Sequence, residues 1–447
     1  MISHQDAIRL RLAAGPRSGS ELAKDLGVSQ PTASRALSSI ASEVIQIGQR
    51  RWSQYVLRDL SRGLNDIPVY RVDAQGQIKP LGLLIPVRPD GYVMSQTDGK
   101  QIHSDGMPWW LTDMKPQGFL GRAYAHRYSA ELGLPPSLKE WSDAHAVRAL
   151  LVHGHDLVGN LLLGDIARDK FLTAAPPQAI GMDAKALHYA QLAEDASSGA
   201  SPGSSAGGEQ PKFTAYAQTN AGPRHVIVKF TEKVDSPVSQ RWRDILLAEH
   251  LALRTLRQAS ISAAQTEIID HCGQRFLEVQ RFDREGSLGR RALVSLNALD
   301  AQFVGQASQP WPVIAHKLAQ SKVITHQALQ ETQMLWAFGT LIGNSDMHGG
   351  NISFVSEHGQ PYQAAPAYDM TTMCFAPTSA GALPGIIPLP HIHSSIPHDT
   401  WRQALKLSQN YLAHLQASDT LNSGFEVCVN ALKNHIEAAS IQIQRLA

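Results

Sequence analysis

One segment, Asn344-Ser345-Asp346-Met347-His348-Gly349-Gly350-Asn351, indicates how this chain folds and what it does. It follows a helical run over residues 329–342 and precedes a short β-like run over residues 352–355. A further acidic residue, Asp369, lies downstream in Tyr368-Asp369-Met370. The segment therefore offers three polar side chains, Asp346, Asn351 and Asp369, between a helix and a hairpin.

This spacing is typical of a kinase catalytic loop. In such a loop the first Asp orients or deprotonates a hydroxyl, and the Asn and the second Asp hold Mg²⁺ against nucleotide phosphates. Magnesium suits these side chains because it prefers hard oxygen ligands. Gly349 and Gly350 are expected to permit φ > 0 and a close backbone approach, so that Asp346 and Asn351 face the same side of one turn. Asp and Asn also cap ordinary turns, so the upstream sequence has to decide between the two interpretations.

Composition indicates an ordinary globular protein. The chain has 447 residues, of which 43% are hydrophobic and 18% charged, and its net charge is +1. A nucleic-acid site would therefore have to be local. Three widely spaced cysteines, Cys272, Cys374 and Cys428, argue against a disulfide framework and favour a reducing compartment. No secretory signal or apolar run of about 20 residues is present, so we expect a cytoplasmic protein without a membrane span.

Residues 1–60 have the pattern of a winged helix-turn-helix domain. A helix-like run over residues 4–14 is followed by a helix, a turn at Gly27, and a second helix that begins at Ser29. A short strand and a basic turn at Arg50 and Arg51 would form the wing. The alternative is a small helical module that binds protein. The residues expected to contact DNA on the second helix are Gln30, Thr32, Ser34 and Arg35.

Strand and helix patterns follow over residues 65–180. Strands are expected over residues 67–72, 78–87 and 92–94, because β-branched and apolar runs end there in turn residues. Helices are expected near residues 117–132 and 142–163. The segment carries no chemical motif.

A glycine-rich loop and two strands come next. Residues 194–211 are rich in Gly and Ser, and the amides of Gly207 and Gly208 could approach phosphate oxygens. Lys229 lies on an apolar strand, where a lysine is costly to bury unless it is paired. Glu249, on the following helix, is placed to hold it. The alternatives are a flexible linker and a strand-edge lysine that reaches solvent.

The last strand before the C-terminal half is expected over residues 276–283, where backbone groups between two lobes could bind adenine. From residue 292 onward the pattern is helical. Segments 312–320, 325–343, 400–417 and 424–446 repeat apolar residues at helical spacing.

Together these motifs resemble the HipA family of serine/threonine kinases, the toxin components of bacterial persistence modules. The resemblance spans about residues 65–447, and its motifs occur in the family's order. It implies that Asp346 is the catalytic base, that Lys229 binds nucleotide phosphates and that His348 contacts the γ-phosphate. The other implied sites are Asn351 and Asp369 for Mg²⁺, the backbone of Gln280 and Phe282 for adenine, and Asp283 for ribose.

The resemblance also implies regulation and partners. Family members autophosphorylate a serine beside the glycine-rich segment, which here is Ser205 with Ser204 as its neighbour. They act on aminoacyl-tRNA synthetases and are restrained by a DNA-binding antitoxin. Two features depart from the family pattern. Pro211 removes a backbone donor from the loop, and the helix-turn-helix is fused to this chain instead of belonging to a partner.

We therefore expect an α+β protein with a two-lobed, protein-kinase-like fold behind a small winged-helix domain. Its N-terminal lobe would span residues 61–285, with a β-rich subdomain over 65–180 and an ATP-binding sheet over 195–285. Its helical C-terminal lobe would span residues 286–447. The expected activity is ATP- and Mg²⁺-dependent phosphorylation of a protein Ser or Thr. The alternatives are a nucleotide-sensing transcriptional regulator with an inactive kinase fold, and a small-molecule kinase.

Overall fold

The structure, a computed structural model, describes residues 2–48, 52–198, 209–357 and 359–446. Ser204, Ser205, Gly207 and Gly208 lie outside these residues, as does the Arg50–Arg51 turn. The fold is α+β, as expected, with antiparallel sheets in the N-terminal part and mainly helices in the C-terminal part. Within the ranges described, no helix is both long and apolar enough to cross a membrane.

The N-terminal unit packs three helices beside a small, three-stranded antiparallel sheet. Gly27 ends the second helix in the left-handed conformation, at φ 64°. Ser29 begins the third helix, but its hydroxyl contacts Thr32 Oγ1 at 3.0 Å instead of capping a backbone amide. The strand order is β1-β3-β2. The elements are α1 (His4–Ala13), β1 (Arg17–Ser18), α2 (Gly19–Leu26), α3 (Gln30–Ser39), β2 (Val44–Ile47) and β3 (Gln54–Leu57).

The second unit is built on a five-stranded antiparallel sheet in the order β7-β6-β5-β4-β8. Three of its helices are each preceded by a short 3₁₀ segment, namely Trp109–Met114, Leu138–Glu140 and Met182–Ala184. The elements are β4 (Ile67–Val72), β5 (Ile78–Val87), β6 (Gly91–Gln96), β7 (Gln101–Ser104), α4 (Gly118–Leu132), α5 (Asp143–His153), β8 (Leu161–Leu163), α6 (Gly164–Thr173) and α7 (Lys185–Ser197).

The expectation of one helix over residues 142–163 was wrong. The helix α5 ends at His153, and Leu161–Leu163 form a strand that pairs with β4. Gly159, at φ 79°, lies in the turn that separates them. A short apolar run such as Leu161–Leu163 has no period of its own, so it could not be distinguished from a helix.

The first two units share a hydrophobic core. Asp59, which is buried, pairs with Arg62 at 2.9 Å and with Arg88 at 3.1 Å beside this core. The N-terminal unit therefore packs directly against the second sheet. The core consists of Ile45, Ile47 and Val56 from the small sheet and Ile85, Val87 and Val93 from the larger one.

A third, four-stranded sheet carries Lys229. Its order is β11-β12-β10-β9, and all neighbours are antiparallel. The long helix α8 packs against β11 and β12. The elements are β9 (Lys212–Thr219), β10 (Gly222–Phe230), α8 (Pro237–Gln258), β11 (Thr266–His271) and β12 (Gln274–Gln280).

The C-terminal part surrounds one large hydrophobic core, to which α8 also contributes. It is not helical from residue 292 as expected, because a strand over Ala292–Ser295 pairs with the strand after residue 352. The elements are β13 (Arg284–Glu285), β14 (Gly289–Arg290), β15 (Ala292–Ser295), α9 (Leu296–Phe303), α10 (Trp311–Gln320), α11 (His326–Leu341), β16 (Ser353–Ser356), β17 (Gln363–Ala364), α12 (His398–Gln416) and α13 (Glu426–Gln444), with 3₁₀ turns at Met373–Phe375 and Ser423–Phe425.

Candidate active site

Asp346 and Asn351 meet across the loop that follows α11. The Asn351 Nδ2 amide donates to the Asp346 carbonyl at 2.8 Å and to Asp346 Oδ2 at 3.3 Å. Asn351 is buried, whereas the Asp346 side chain is about half exposed, at 51%. The loop therefore places both predicted side chains on one side of a turn. Because the amide nitrogen of Asn351 holds the loop, its Oδ1 oxygen remains for a metal ion.

For the two glycines of this loop, the expected positive φ was wrong, whereas a close approach of other atoms is present. Neither Gly349 nor Gly350 adopts a positive φ. A Cβ atom on Gly349 would lie 2.4 Å from Asn297 Oδ1, and one on Gly350 would lie 2.8 Å from the His348 ring. They are needed because other atoms approach too closely for a side chain, not because of backbone handedness.

Asn344, to which we assigned no role, connects the catalytic loop to Asp369. Its Oδ1 accepts the Asp346 amide at 3.0 Å, and its Nδ2 donates to the Asp369 carbonyl at 3.3 Å. Asp369 itself has φ 53°, a conformation that is strained for a residue other than glycine. The only sequence signal for Asn344 was its position two residues before Asp346 in the same polar run.

Lys229 is buried between two carboxylates. Its Nζ atom lies 2.7 Å from both Glu249 oxygens, which confirms the expected pair, and it also bonds Asp369 Oδ1. Burial alone would lower the pKa of Lys229, but Asp369 and Glu249 raise it above its ordinary value. The same contact holds the pKa of Asp369 below its usual range, while burial raises the pKa of Glu249. At neutral pH the lysine is charged and tied to the acid that would bind metal.

A second lysine, Lys212, lies beside Lys229. Lys212 stands opposite Lys229 in the β9–β10 ladder, so the two side chains share one face of the sheet. Burial lowers the pKa of Lys212 to about 8, although Asp369 opposes this shift. Pro211, which cannot donate, uses its carbonyl to accept the Phe230 amide at 3.1 Å. The proline thus continues the ladder next to Lys212.

One cleft of about 240 Å³ lies between the β9–β12 sheet and the catalytic loop, and its lining includes Lys212, Lys229, His348, Asn351 and Asp369. Asp346 adjoins it through its contact with Asn351. The Gln280 amide is engaged with the Gln265 carbonyl at 2.9 Å. The Phe282 amide has no hydrogen-bond partner among the described residues, so it can serve a ligand in the cleft. Apolar side chains that suit a flat base line part of the cleft, among them Val158, Ile227, Val279 and Leu293.

The chemistry of the cleft fits a magnesium-bound nucleotide. Apolar groups and a backbone donor suit the base, and Lys212 and Lys229 suit phosphate oxygens. Asn351 and Asp369 supply oxygen ligands of the type that Mg²⁺ prefers, and this ion commonly takes its remaining ligands from water and substrate phosphates.

Asp283 lines the cleft and also forms ion pairs with two arginines. Its carboxylate accepts from Arg281 at 2.8 and 2.9 Å, from Arg284 at 2.7 Å and from the Gly159 amide at 3.1 Å. Burial would raise its pKa, but Arg281 and Arg284 lower it below the usual range. Its predicted contact with ribose would have to be made in addition to these bonds.

His348 lies at the exposed rim of the cleft. Its Nε2 atom is 3.8 Å from Asp346 Oδ1, and its Nδ1 atom accepts the Gly350 amide at 3.0 Å. More than half of the side chain is exposed, at 54%. The ring can therefore reach a group bound beside Asp346.

The predicted DNA-contact residues share one helix. Gln30, Ser34 and Arg35 are exposed on α3, and Thr32 is partly exposed. Arg35 makes only long bonds of 3.4 Å, to the Pro31 carbonyl and to Thr32 Oγ1. A polar and basic surface of this kind can approach a DNA groove.

Two family models match the chain. One describes the middle domain of YjjJ-like toxins and covers residues 64–172, and the other describes the HipA-like C-terminal domain and covers residues 204–439. Toxin YjjJ of Escherichia coli (strain K12) is 38% identical over 437 residues, which cover 97% of this chain and 98% of that protein.

One solved structure supports the fold, and a second shows a weaker similarity. A chain of the HipA–HipB toxin–antitoxin complex with operator DNA from Shewanella oneidensis MR-1 superposes with a TM-score of 0.53 at 14% identity, covering 85% of this chain and 97% of its own. The Helicobacter pylori proinflammatory kinase CtkA gives a TM-score of 0.39 at 14% identity, covering 54% and 94%.

Proposed function

The chain belongs to the HipA-like toxin family, and on that premise we propose that it is a serine/threonine protein kinase that uses ATP and Mg²⁺. The observation that carries this proposal is that Lys229, Asn351 and Asp369, from three separate parts of the sequence, line one cleft, and that Asp346 is hydrogen-bonded to Asn351 beside it. A kinase-like enzyme needs such a set because catalysis of phosphoryl transfer consists mainly of positioning and charge stabilisation.

Each residue has a role in this proposal. Lys229 and Lys212 bind phosphate oxygens, and the Phe282 amide with the Gln280 carbonyl holds the base. Asn351 and Asp369 hold the metal, and Asp346 accepts the proton of the acceptor hydroxyl while His348 contacts the transferred group. The bound magnesium nucleotide supplies the phosphoryl group and the positive charge that stabilises its transfer.

The proposed substrate is a hydroxyl of a protein, with an aminoacyl-tRNA synthetase or another translation protein as the expected target. Only the family resemblance supports this choice. An antitoxin partner is proposed on the same ground, and a cytoplasmic site of action fits the three free cysteines.

Autophosphorylation offers a direct test. Intact-protein and peptide mass spectrometry should show that incubation with ATP and Mg²⁺ adds one phosphate, on Ser205 or Ser204. The double variant Ser204→Ala, Ser205→Ala should not gain it. Purified protein that gains no phosphate on itself or on any added protein would contradict the kinase proposal.

The second candidate is a transcriptional regulator that senses nucleotide without transferring phosphate. Pro211 in the loop and the winged helix packed on the second sheet favour it. It predicts DNA binding whose affinity changes with ATP, together with no phosphotransfer in the experiment above.

DNA binding is proposed for α3, and Arg35→Ala should test it in the full-length chain. Loss of an arginine that contacts phosphate or base should weaken binding to duplex DNA by about tenfold and lower the salt dependence by about one unit. Fluorescence anisotropy with random-sequence duplexes at several salt concentrations measures both quantities. Arg127→Ala, an exposed arginine on α4, removes the same charge elsewhere. Equal affinities for the two variants would favour a protein-binding module.

A further inference from the structure

A segment of the second unit that carries none of the kinase motifs lines the candidate nucleotide cleft. Thr112, Asp113 and Gln117 lie in the second unit, in or just after the 3₁₀ turn Trp109–Met114, and all three line the cleft. No motif in the sequence indicated a role for them. The second unit is therefore part of the wall of the active site.

Asp113 is hydrogen-bonded to Ser295, which directly precedes α9. Its Oδ2 atom accepts the Ser295 amide and its Oδ1 atom accepts the Ser295 hydroxyl, both at 2.6 Å. The two residues are 182 positions apart in the sequence. A two-point contact of this kind fixes both the position and the orientation of the Ser295 backbone.

Ser295 begins the element that supports the catalytic loop. Its hydroxyl also caps α9 by accepting the Ala298 amide at 3.2 Å. The next two amides, of Leu296 and Asn297, donate to the carbonyls of Ile352 and Gly349 at 3.0 Å. A shift of Ser295 would consequently move the loop between Gly349 and Ile352, which contains Asn351.

The charge of Asp113 is not balanced by a cation. Within the described part of the chain, its interactions are the bonds to Ser295, and no Lys, Arg or His forms an ion pair with it. Burial raises its pKa, although the bonds from Ser295 act in the other direction. We therefore attribute the role of Asp113 to the geometry of its two hydrogen bonds and not to its negative charge.

We propose that Asp113 is a positioning residue, which holds the catalytic loop in place through its two hydrogen bonds to Ser295. The kinetic part of this proposal rests on the proposed kinase function, whereas the effect on the loop does not. The second unit would then be required for catalysis and not only for attachment of the N-terminal unit.

Three substitutions separate geometry from charge. Asp113→Asn can keep both contacts, because its amide oxygen accepts the Ser295 amide and its NH₂ group donates to the Ser295 hydroxyl. Asp113→Glu keeps the charge but moves the carboxylate by one methylene, and Asp113→Ala removes both contacts. Asp98→Ala is the control, since Asp98 accepts a backbone amide in an exposed turn of the same unit.

Steady-state kinetics should rank the variants by geometry. Asp113→Ala and Asp113→Glu should lower kcat by up to about a hundredfold, the cost of a displacement of about 1 Å. Asp113→Asn and Asp98→Ala should stay within about threefold of the wild type, and KM for ATP should change little because the nucleotide contacts remain. If Asp113→Glu is active and Asp113→Asn is not, the charge acts directly on a ligand and the proposal is overturned.

Hydrogen exchange provides a readout that needs no enzymatic activity. In the ligand-free protein, amides of residues 349–353 should exchange faster in Asp113→Ala and Asp113→Glu than in the wild type, Asp113→Asn and Asp98→Ala. Unchanged exchange in all four variants would refute the positioning role even if the protein proves not to be a kinase. Conversely, the expected exchange pattern in a protein without phosphotransfer would refute only the proposed function.

Discussion

Asp346→Asn is expected to lower kcat for phosphotransfer by about 10²–10⁴-fold, the usual contribution of a positioned acid–base group. The amide is nearly isosteric with the carboxylate but cannot accept a proton from the acceptor hydroxyl. The contact that shapes the loop would survive, because Asn351 also donates to the Asp346 backbone carbonyl at 2.8 Å. We therefore expect unchanged nucleotide affinity and an unchanged melting temperature.

Radiolabelled ATP with a protein acceptor measures the rate, and calorimetric titration of a nonhydrolysable analogue measures the affinity. Asp399→Asn is the matched control, since Asp399 is an exposed Asp on α12 in the same half of the chain. Equal labelling by wild type and Asp346→Asn would show that Asp346 is not the base. A different outcome, no labelling in either protein, would favour a regulator that only senses nucleotide.

The sequence could predict those parts of the site that depend on local spacing. Asp346 and Asn351 lie within one turn, so the five-residue interval was enough to place them together. Lys229 and Glu249 were predictable because a lysine on a buried strand needs a partner and the next helix supplies one acid at a suitable position.

Contacts between distant segments could not be predicted in this way. Nothing in the local sequence of Asp113 or Ser295 relates them, and their bond depends on how the second unit packs against β15. The same holds for the apolar cluster to which Ile45 and Val87 belong, which joins the N-terminal unit to the neighbouring sheet. The sequence predicted that glycine is needed at position 349, but the expected positive φ was wrong. Gly349 is needed because a side chain there would clash with Asn297.

Lys229→Met should have two large effects with separate causes. The variant loses a cation that would stabilise phosphate oxygens, and removal of one such group from a preorganised site costs about 10²–10³-fold in kcat. It also leaves Glu249 buried without its partner and removes the ion pair of Asp369. Breaking a buried ion pair in this manner should lower the free energy of unfolding by about 3–5 kcal/mol.

The pH dependence should identify the second effect. In the wild type the raised pKa of Lys229 contributes stability at all pH values below its unfolded pKa of about 10.4, and this contribution is lost as pH rises through the higher folded pKa. In Lys229→Met the folded pKa of Glu249 should rise further above its unfolded value of about 4.3, so the variant loses stability as pH rises through that window. The difference between the two proteins should therefore increase as pH rises from acid, where Glu249 is protonated, to pH 7.

A second substitution separates stability from activity. Lys229→Met combined with Glu249→Gln removes the uncompensated buried charge, so most of the lost unfolding free energy should return, and its pH dependence should flatten. Phosphotransfer should not return, because the cation that faces the phosphates is still missing. Urea unfolding at pH 5 and pH 7, with labelling under the same conditions, tests both expectations. If Glu249→Gln restored activity, Lys229 would act only by neutralising Glu249, and its assignment to the nucleotide phosphates would be wrong.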